Sequence, residues 1–142
     1  MILTLDQANK IIDGALAAAR KHNANPMAVM VLDAGGHPVA FQREDHTSLY
    51  RYDIAKAKAS GAVGMGMNTR IIAQRASNNP VFFGSLTTID GLNLALSAGG
   101  VLIKDTEGRI LGAVGISGDT ADMDEACALA GITAADLNHG VE

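Results

Sequence analysis

Residues 99–105 read Gly99-Gly-Val-Leu-Ile-Lys-Asp105, and residues 109–117 read Arg109-Ile-Leu-Gly-Ala-Val-Gly-Ile-Ser117. Two apolar runs separated by a short polar turn predict a β-hairpin. The next residues, Gly118-Asp-Thr120, cap a predicted final helix over 121–130, which we expect to end at Gly131. This stretch therefore predicts strands that pack against a helix.

The N-terminal part predicts a helix followed by another hairpin. Thr4-Leu-Asp-Gln7 has the form of a capping box, and apolar residues at helical spacing follow it, so a helix is predicted over 5–22. Residues 27–32 are apolar at every position, and residues 37–42 return as a second strand after a turn. A strand without polar alternation must be covered on both faces, by helices or by a partner subunit.

The middle of the chain is predicted to be mostly helical. Thr47 or Ser48 can cap a helix that runs to about Met65, and its small residues over 57–66 predict a close-packed neighbour. A short helix is predicted through about Ser77. Residues 80–98 are compatible with loop, short helix or strand. The elements together predict an α+β domain with an antiparallel sheet.

Composition limits the classes of function. The 142 residues favour one domain over 1–142, and the net charge of −4 argues against nucleic-acid binding. The single Cys127 excludes an intrachain disulfide and fits a reducing compartment, and we expect it to be buried and inert. No apolar run approaches the roughly 20 residues that cross a bilayer. We therefore expect a cytoplasmic protein without a membrane anchor.

The most interesting polar group is the loop Arg43-Glu-Asp-His46, which lies between a strand and a helix. Ligands are often bound by loops at the ends of elements, and His46 could ligate a metal or haem iron or transfer protons. Asp45 could orient its ring or act as a base. From the residues alone, a solvated loop with Thr47 as helix cap is the commoner interpretation.

The remaining candidates also have structural alternatives. His22 lies on the apolar stripe of the first helix and could bind haem, although a helix-end histidine more often pairs with free carbonyls. Lys56 and Lys58 face different sides of their helix, so one of them could meet an anion or carbonyl group. His139 is expected in a frayed tail. The histidine spacing predicts no metal site.

At this point the chain resembles the GlcG/HbpS-like family over about residues 4–131. The resemblance is carried by the segments Val31–Arg43, Lys58–Ala59, Gly99–Ile103, Gly108–Gly118 and Asp124–Ala126. It implies a profilin-like fold with a five-stranded antiparallel sheet covered by helices, and assembly into homo-oligomers. It also implies haem binding, which some relatives perform, with His22 as the candidate in the first helix. Relatives carry Arg-x-Asp-Gly-Ala after the second strand, and here His46 replaces the glycine.

The leading hypothesis is a ligand-binding protein with haem or a small organic acid in a pocket. The residues assigned to this pocket are Arg43, Asp45, His46, Lys58, Gly99 and Gly100. Arg43 and Lys58 would hold an anionic group, and His46 or His22 would be the axial ligand of any bound iron.

Two rival hypotheses remain open. The first is an enzyme of small-molecule catabolism, a lyase, isomerase or hydrolase, with Asp45 or His46 as general base. Lys58 or Arg43 would then stabilise developing negative charge. The second is an oligomeric accessory module without a ligand.

Overall fold

The computed structural model describes residues 2–141, which form five α-helices, one 3-10 turn and a four-stranded sheet. In chain order the elements are α1 Leu5–Lys21, β1 Ala28–Asp33, β2 Pro38–Arg43, α2 Arg51–Met65, α3 Thr69–Asn78, α4 Pro80–Ser85, the 3-10 turn Leu86–Thr88, β3 Gly100–Lys104, β4 Ile110–Ser117 and α5 Ala121–Ala134. The predicted α+β class is confirmed.

The sheet has the strand order β2-β1-β4-β3, with antiparallel neighbours throughout. The expectation of five strands is therefore wrong for the described residues. A single bridge between Lys104 and Asn138 occupies the outer edge of β3. Asp136 and Gly140, on either side of Asn138, have φ of 58° and 71°. Positive φ values lie outside the β region, so the backbone cannot extend this bridge into a strand.

Helices cover both faces of the sheet, as the fully apolar strand β1 predicted. Val29 and Val31 of β1 pack into a core with α1 and α5. The alternate residue Met30 packs on the opposite face, against small residues of α2. Successive side chains of a strand point to opposite faces, so β1 contributes to two cores at once.

Helices α1 and α5 pack together through a glycine. The predicted capping box is present, because Gln7 N donates to Thr4 Oγ1 and Thr4 N donates to Gln7 Oε1. The predicted end of α5 at Gly131 is wrong, because the helix continues to Ala134. A Cβ at Gly131 would overlap the carbonyl oxygen of Ile11. Gly131 therefore permits close approach of two helices and does not terminate one.

Helix α2 lies very close to the sheet. It begins at Arg51, later than predicted, because the Thr47 hydroxyl donates to Glu44 O at 2.6 Å and does not cap the helix. A Cβ at Gly115 of β4 would overlap the carbonyl oxygen of Ala55. In the second half of α2, a Cβ at Gly61 would lie 2.9 Å from Leu94 Cδ2. The predicted close-packed neighbour is thus the segment that precedes β3.

The sequence did not decide the conformation of residues 80–98. This segment contains the short helix α4 and the 3-10 turn, and the rest of it is irregular. Phe83 and Leu86 pack with Ile72 of α3 in a small third core. Within residues 2–141, no helix has the length and apolar character needed to span a membrane.

Candidate functional site

The loop between β2 and α2 is held in place by Glu44. Its carboxylate accepts a hydrogen bond from Met27 N at 2.9 Å and lies 3.0 Å from Arg20 Nε at the end of α1. Its backbone N donates to Met27 O at 2.9 Å. Sequence reasoning singled out the neighbours of Glu44 and missed this residue, which fixes the loop that carries them.

Asp45 and His46 are exposed on this loop, and Arg43 is exposed as the last residue of β2, directly before the loop. Their side chains form no hydrogen bond or ion pair with the described part of the chain. His46 has φ of 70°, in the left-handed region that favours glycine. Glycine adopts this conformation without strain, and here a histidine adopts it with its imidazole exposed to solvent.

A half-buried arginine lies at the same end of the sheet. Arg43 and Ser117 are both register partners of Ala28, which packs on the α2 face. Two strand spacings of about 4.8 Å separate the backbones of Arg43 and Ser117. The guanidinium of Arg51 donates to Ser117 Oγ at 3.1 Å. Among residues 2–141, Arg51 has no carboxylate within ion-pair distance.

Sequence reasoning did not select Arg51. A signal for it was present, since a cation in the first turn of a helix is disfavoured by the helix dipole and needs an explanation. Its four unused N–H donors make it a stronger anion partner than an exposed lysine.

Exposed apolar side chains complete this end of the molecule. Leu49 is 72% exposed and Tyr50 is 70% exposed. The ring of Tyr52 packs edge-to-face on Phe41 of β2 at 4.9 Å between centroids. We call the group Arg43, Asp45, His46, Leu49, Tyr50, Arg51 and Tyr52 the 43–52 surface. It combines an imidazole, two cations without carboxylate partners, and uncovered apolar area.

Lys58 is separated from the 43–52 surface by burial. It is 3% exposed, and its Nζ donates to Ile116 O and to the Asp124 carboxylate, both at 3.0 Å. Gly99 and Gly100 lie against it, because a Cβ at Gly99 would be 2.8 Å from Lys58 Nζ. The structure thus brings Lys58, Gly99 and Gly100 together in the interior, while Arg43, Asp45 and His46 remain outside.

The buried Lys58–Asp124 pair belongs to a network at the start of α5. Asp124 also accepts from Asp119 N at 2.9 Å, and burial raises the pKa of Asp124 while the adjacent ammonium partly offsets this. Backbone amides of Asn25 and Thr120 donate to Asp119 and hold the pKa of that carboxyl below its usual range. The Thr120 hydroxyl accepts from Met123 N at 3.2 Å, which confirms the predicted cap.

The other candidates lie elsewhere. His22 is the exposed C-cap of α1, on the opposite face of the sheet from α2, and the Arg20–Glu44 pair joins this helix end to the loop. Cys127 is buried as predicted, and desolvation raises the pKa of its thiol to about 11. Within residues 2–141, no three His, Cys, Asp or Glu side chains are grouped for metal binding.

The fold and this surface define a small α+β domain with helices on both sheet faces and an open polar and aromatic surface at one end. Residues 3–133 match the family described as haem degrading protein HbpS-like. The chain therefore belongs to the HbpS-like family.

Individual relatives agree with this assignment. A double mutant of HbpS from Streptomyces reticuli is 30% identical, with a TM-score of 0.81 over 94% of this chain and 86% of that one. PduOC in complex with haem is 22% identical, and its TM-score of 0.87, over 98% of this chain and 99% of that one, shows a shared fold. An uncharacterized 15.0 kDa protein from the dhaT–dhaS intergenic region of Citrobacter freundii is 29% identical over 86% of this chain and 84% of its own length.

Proposed function

We propose that this protein binds haem on the 43–52 surface, where His46 would hold the iron. The observation that carries the proposal is the exposed imidazole of His46, which has no partner in the described chain and lies three residues before exposed Leu49 and Tyr50. Membership of the HbpS-like family supports the same ligand class.

The residues present fit the chemical parts of haem. An imidazole nitrogen suits iron, apolar side chains suit the porphyrin face, and guanidinium groups suit the propionates. Here His46 would supply the imidazole, Leu49 and Tyr50 would contact the porphyrin face, and Arg43 and Arg51 would bind the propionates. Bound haem would supply a redox-active iron, and the chain would hold and orient it.

The test is a titration of the purified protein with haemin, followed by the Soret band. We expect a saturable shift that His46→Ala abolishes or weakens by at least about tenfold. His37→Ala is the matched control, because His37 is also exposed but lies in the turn beside Asp33, with 3.5 Å between Nδ1 and Oδ1. A saturable shift that survives His46→Ala would reject this ligand assignment.

His22 is the second candidate for the iron ligand. It is exposed at the end of α1, which the Arg20–Glu44 pair holds beside the same loop. Loss of the Soret shift in His22→Ala, with His46→Ala unchanged, would place the iron on the α1 side. Absence of any saturable shift in the unaltered protein would reject haem binding.

Carboxylate recognition by Arg51 has a separate test. Esterified propionates carry no charge, so Arg51→Gln should weaken binding of haemin more than binding of its dimethyl ester. An equal effect on both ligands would contradict a role in propionate binding. If haemin does not bind but a small organic acid does, protection of Arg51 from phenylglyoxal identifies the same anion site for a smaller ligand.

We also propose that copies of the chain assemble into a homo-oligomer. The support is a set of exposed apolar side chains near residues 80–98. These side chains are Val81, Phe82, Ile89 and Leu96. Several exposed apolar residues in one segment favour a protein contact. Native mass spectrometry should show more than one subunit, and Phe82→Ser should shift the population towards monomer.

A further inference from the structure

A groove lies at the opposite edge of the sheet from β2. It has a volume of about 350 Å³ and is bordered by the start of α3, the outer edge of β3 and residues 139–141. The lining side chains that matter are Met67, Asn68, Ile71, Leu102, Lys104 and His139. The family match ends at residue 133, so His139 lies in a part of this chain outside that match.

The segment that closes this groove is fixed to the sheet. Lys104 N donates to Asn138 O at 2.7 Å, and Asn138 N donates back to Lys104 O at 3.1 Å. The Asn138 side chain donates to Asp105 O at 3.2 Å. His139 is consequently half-buried, whereas the sequence predicted a frayed tail.

The polar groups that line the groove are mostly donors. Val141 N donates to His139 Nδ1 at 3.0 Å, so in the neutral ring the proton is on Nε2. Leu102 N donates to Asn68 Oδ1 at 2.9 Å, which leaves the amide NH₂ of Asn68 to donate. The Lys104 ammonium has no carboxylate within 4.0 Å among residues 2–141. Three different donors therefore border one groove.

The other charged side chains at the groove pair with one another and together carry one net negative charge, because Arg70 meets two carboxylates. Both Glu125 carboxylate oxygens accept from Arg70 Nε at 3.0 Å, and Arg70 also pairs with Asp122. These bonds raise the pKa of Arg70 and keep it charged. Lys104 therefore supplies a cation that has no described carboxylate within 4.0 Å. Met67, Ile71 and Leu102 provide an apolar floor.

We propose that this groove binds a small monocarboxylate with a short apolar chain. Lys104 holds the carboxylate, His139 and Asn68 donate further hydrogen bonds to it, and the apolar chain lies on Met67 and Leu102. One charged and two neutral donors around an apolar floor are the usual composition of a small-molecule site. The site is distinct from the 43–52 surface, because its lining comes from α3, β3 and the segment after α5.

The experiment is a titration of the ¹⁵N-labelled full chain with sodium pentanoate, followed by amide chemical shifts. We expect saturable shifts at Leu102, Lys104 and Gly140. Pentanamide, which has the same chain without the charge, should give shifts that do not saturate. A flat response to pentanoate, or an equal response to pentanamide, overturns the proposal.

Variants assign the response to the groove. Lys104→Met should weaken pentanoate binding by about tenfold or more, since a charge-assisted hydrogen bond is lost. Lys56→Met, at a half-buried lysine on helix α2, is the matched control and should leave pentanoate binding unchanged. Equal binding by both variants overturns the assignment to this groove. Haemin titration of Lys104→Met should match the unaltered protein, so failure of the haem proposal remains separable from failure of this one.

Discussion

The Lys58–Asp124 cluster and the 43–52 surface contain similar residue types in opposite environments. Lys58 and Asp124 are 3% and 1% exposed, and each makes hydrogen bonds inside the molecule. Within the described residues, no buried side-chain nitrogen or oxygen lacks a partner. On the 43–52 surface, Arg43, Asp45 and His46 are exposed and have no partner in the described chain.

This difference shows where ligand chemistry is to be sought. A buried polar group must form hydrogen bonds inside the molecule, because a buried group without a partner destabilises the folded state. The hydrogen bonds of the Lys58 ammonium therefore connect α2 to β4 and to α5. The 43–52 surface keeps its donors and its imidazole available, which is why we propose haem binding there and assign stability to the cluster.

The largest expected effect is loss of stability when the buried pair is broken. Lys58→Met leaves the Asp124 carboxylate buried without its cation, and we expect the free energy of unfolding at pH 7 to fall by about 3–5 kcal/mol. Asp124→Asn in the Lys58→Met background should recover roughly half of this. Urea unfolding measures both. Lys10→Met, which breaks the exposed Lys10–Asp6 pair, should change stability by less than about 0.5 kcal/mol.

The same variant has a defined pH dependence. Burial raises the pKa of Asp124 in the folded state above its ordinary value of 3.8. A group whose folded pKa is raised destabilises the protein when ionised, and that cost disappears as the pH falls towards the unfolded pKa. The deficit of Lys58→Met should therefore shrink on acidification. A deficit that is constant with pH would mean that lost packing, and not the unpaired charge, causes it.

The second largest expected effect is loss of stability when the close packing of α2 against β4, which buries Lys58, is disrupted. Gly115→Ala places a methyl group against the Ala55 carbonyl and within 2.6 Å of Ala59 N, so α2 must move. We expect a loss of about 2–3 kcal/mol. Gly64→Ala on α2 meets nothing within 4 Å and should stabilise by roughly 0.5–1 kcal/mol. Equal effects of the two substitutions would contradict close helix–sheet packing as the cause.

Much of the fold was predictable from local patterns. The capping box at Thr4, the apolar strand β1 and both hairpins appear in the structure with nearly the predicted bounds. The end of α5 was not predictable, because a glycine at position 131 serves equally well as a helix end or as a contact with α1. The segment 80–98 stayed ambiguous because its packing partners on α2 and α3 lie outside the segment, where its local pattern does not show them.

The candidate site was predictable only in part. Sequence analysis predicted Arg43, Asp45 and His46 on a loop directly before a helix. Asp45 and His46 do lie on a loop, whereas Arg43 ends β2 and the helix begins only at Arg51. Sequence analysis could not distinguish a lysine that faces a pocket from one that faces the interior, because helical spacing gives a face and not its neighbours. Lys58, which was assigned to the pocket, is therefore buried in the interior, and Arg51, which was not selected, lies half-buried beside Ser117.

A smaller effect is expected at His46, where one substitution should raise stability and abolish haemin binding. His46 adopts φ of 70°, which costs a non-glycine residue free energy. His46→Gly should raise the free energy of unfolding by about 0.5–1 kcal/mol and abolish the Soret shift with haemin. His22→Gly is the control, since its φ of −92° holds no such strain and the added flexibility should destabilise. Destabilisation by His46→Gly would show that the imidazole makes a stabilising contact.

The smallest expected effect is on the stability of the 43–52 surface as a whole. Arg43→Gln and Leu49→Gln remove a cation and an apolar side chain that are exposed on the described chain. Each should change the free energy of unfolding by less than about 0.5 kcal/mol, because no internal contact is lost. Both should nevertheless weaken haemin binding, and the dimethyl ester should reveal only the Leu49 defect. A loss of more than about 1 kcal/mol would mean that these side chains make internal contacts, as the Lys58–Asp124 cluster does.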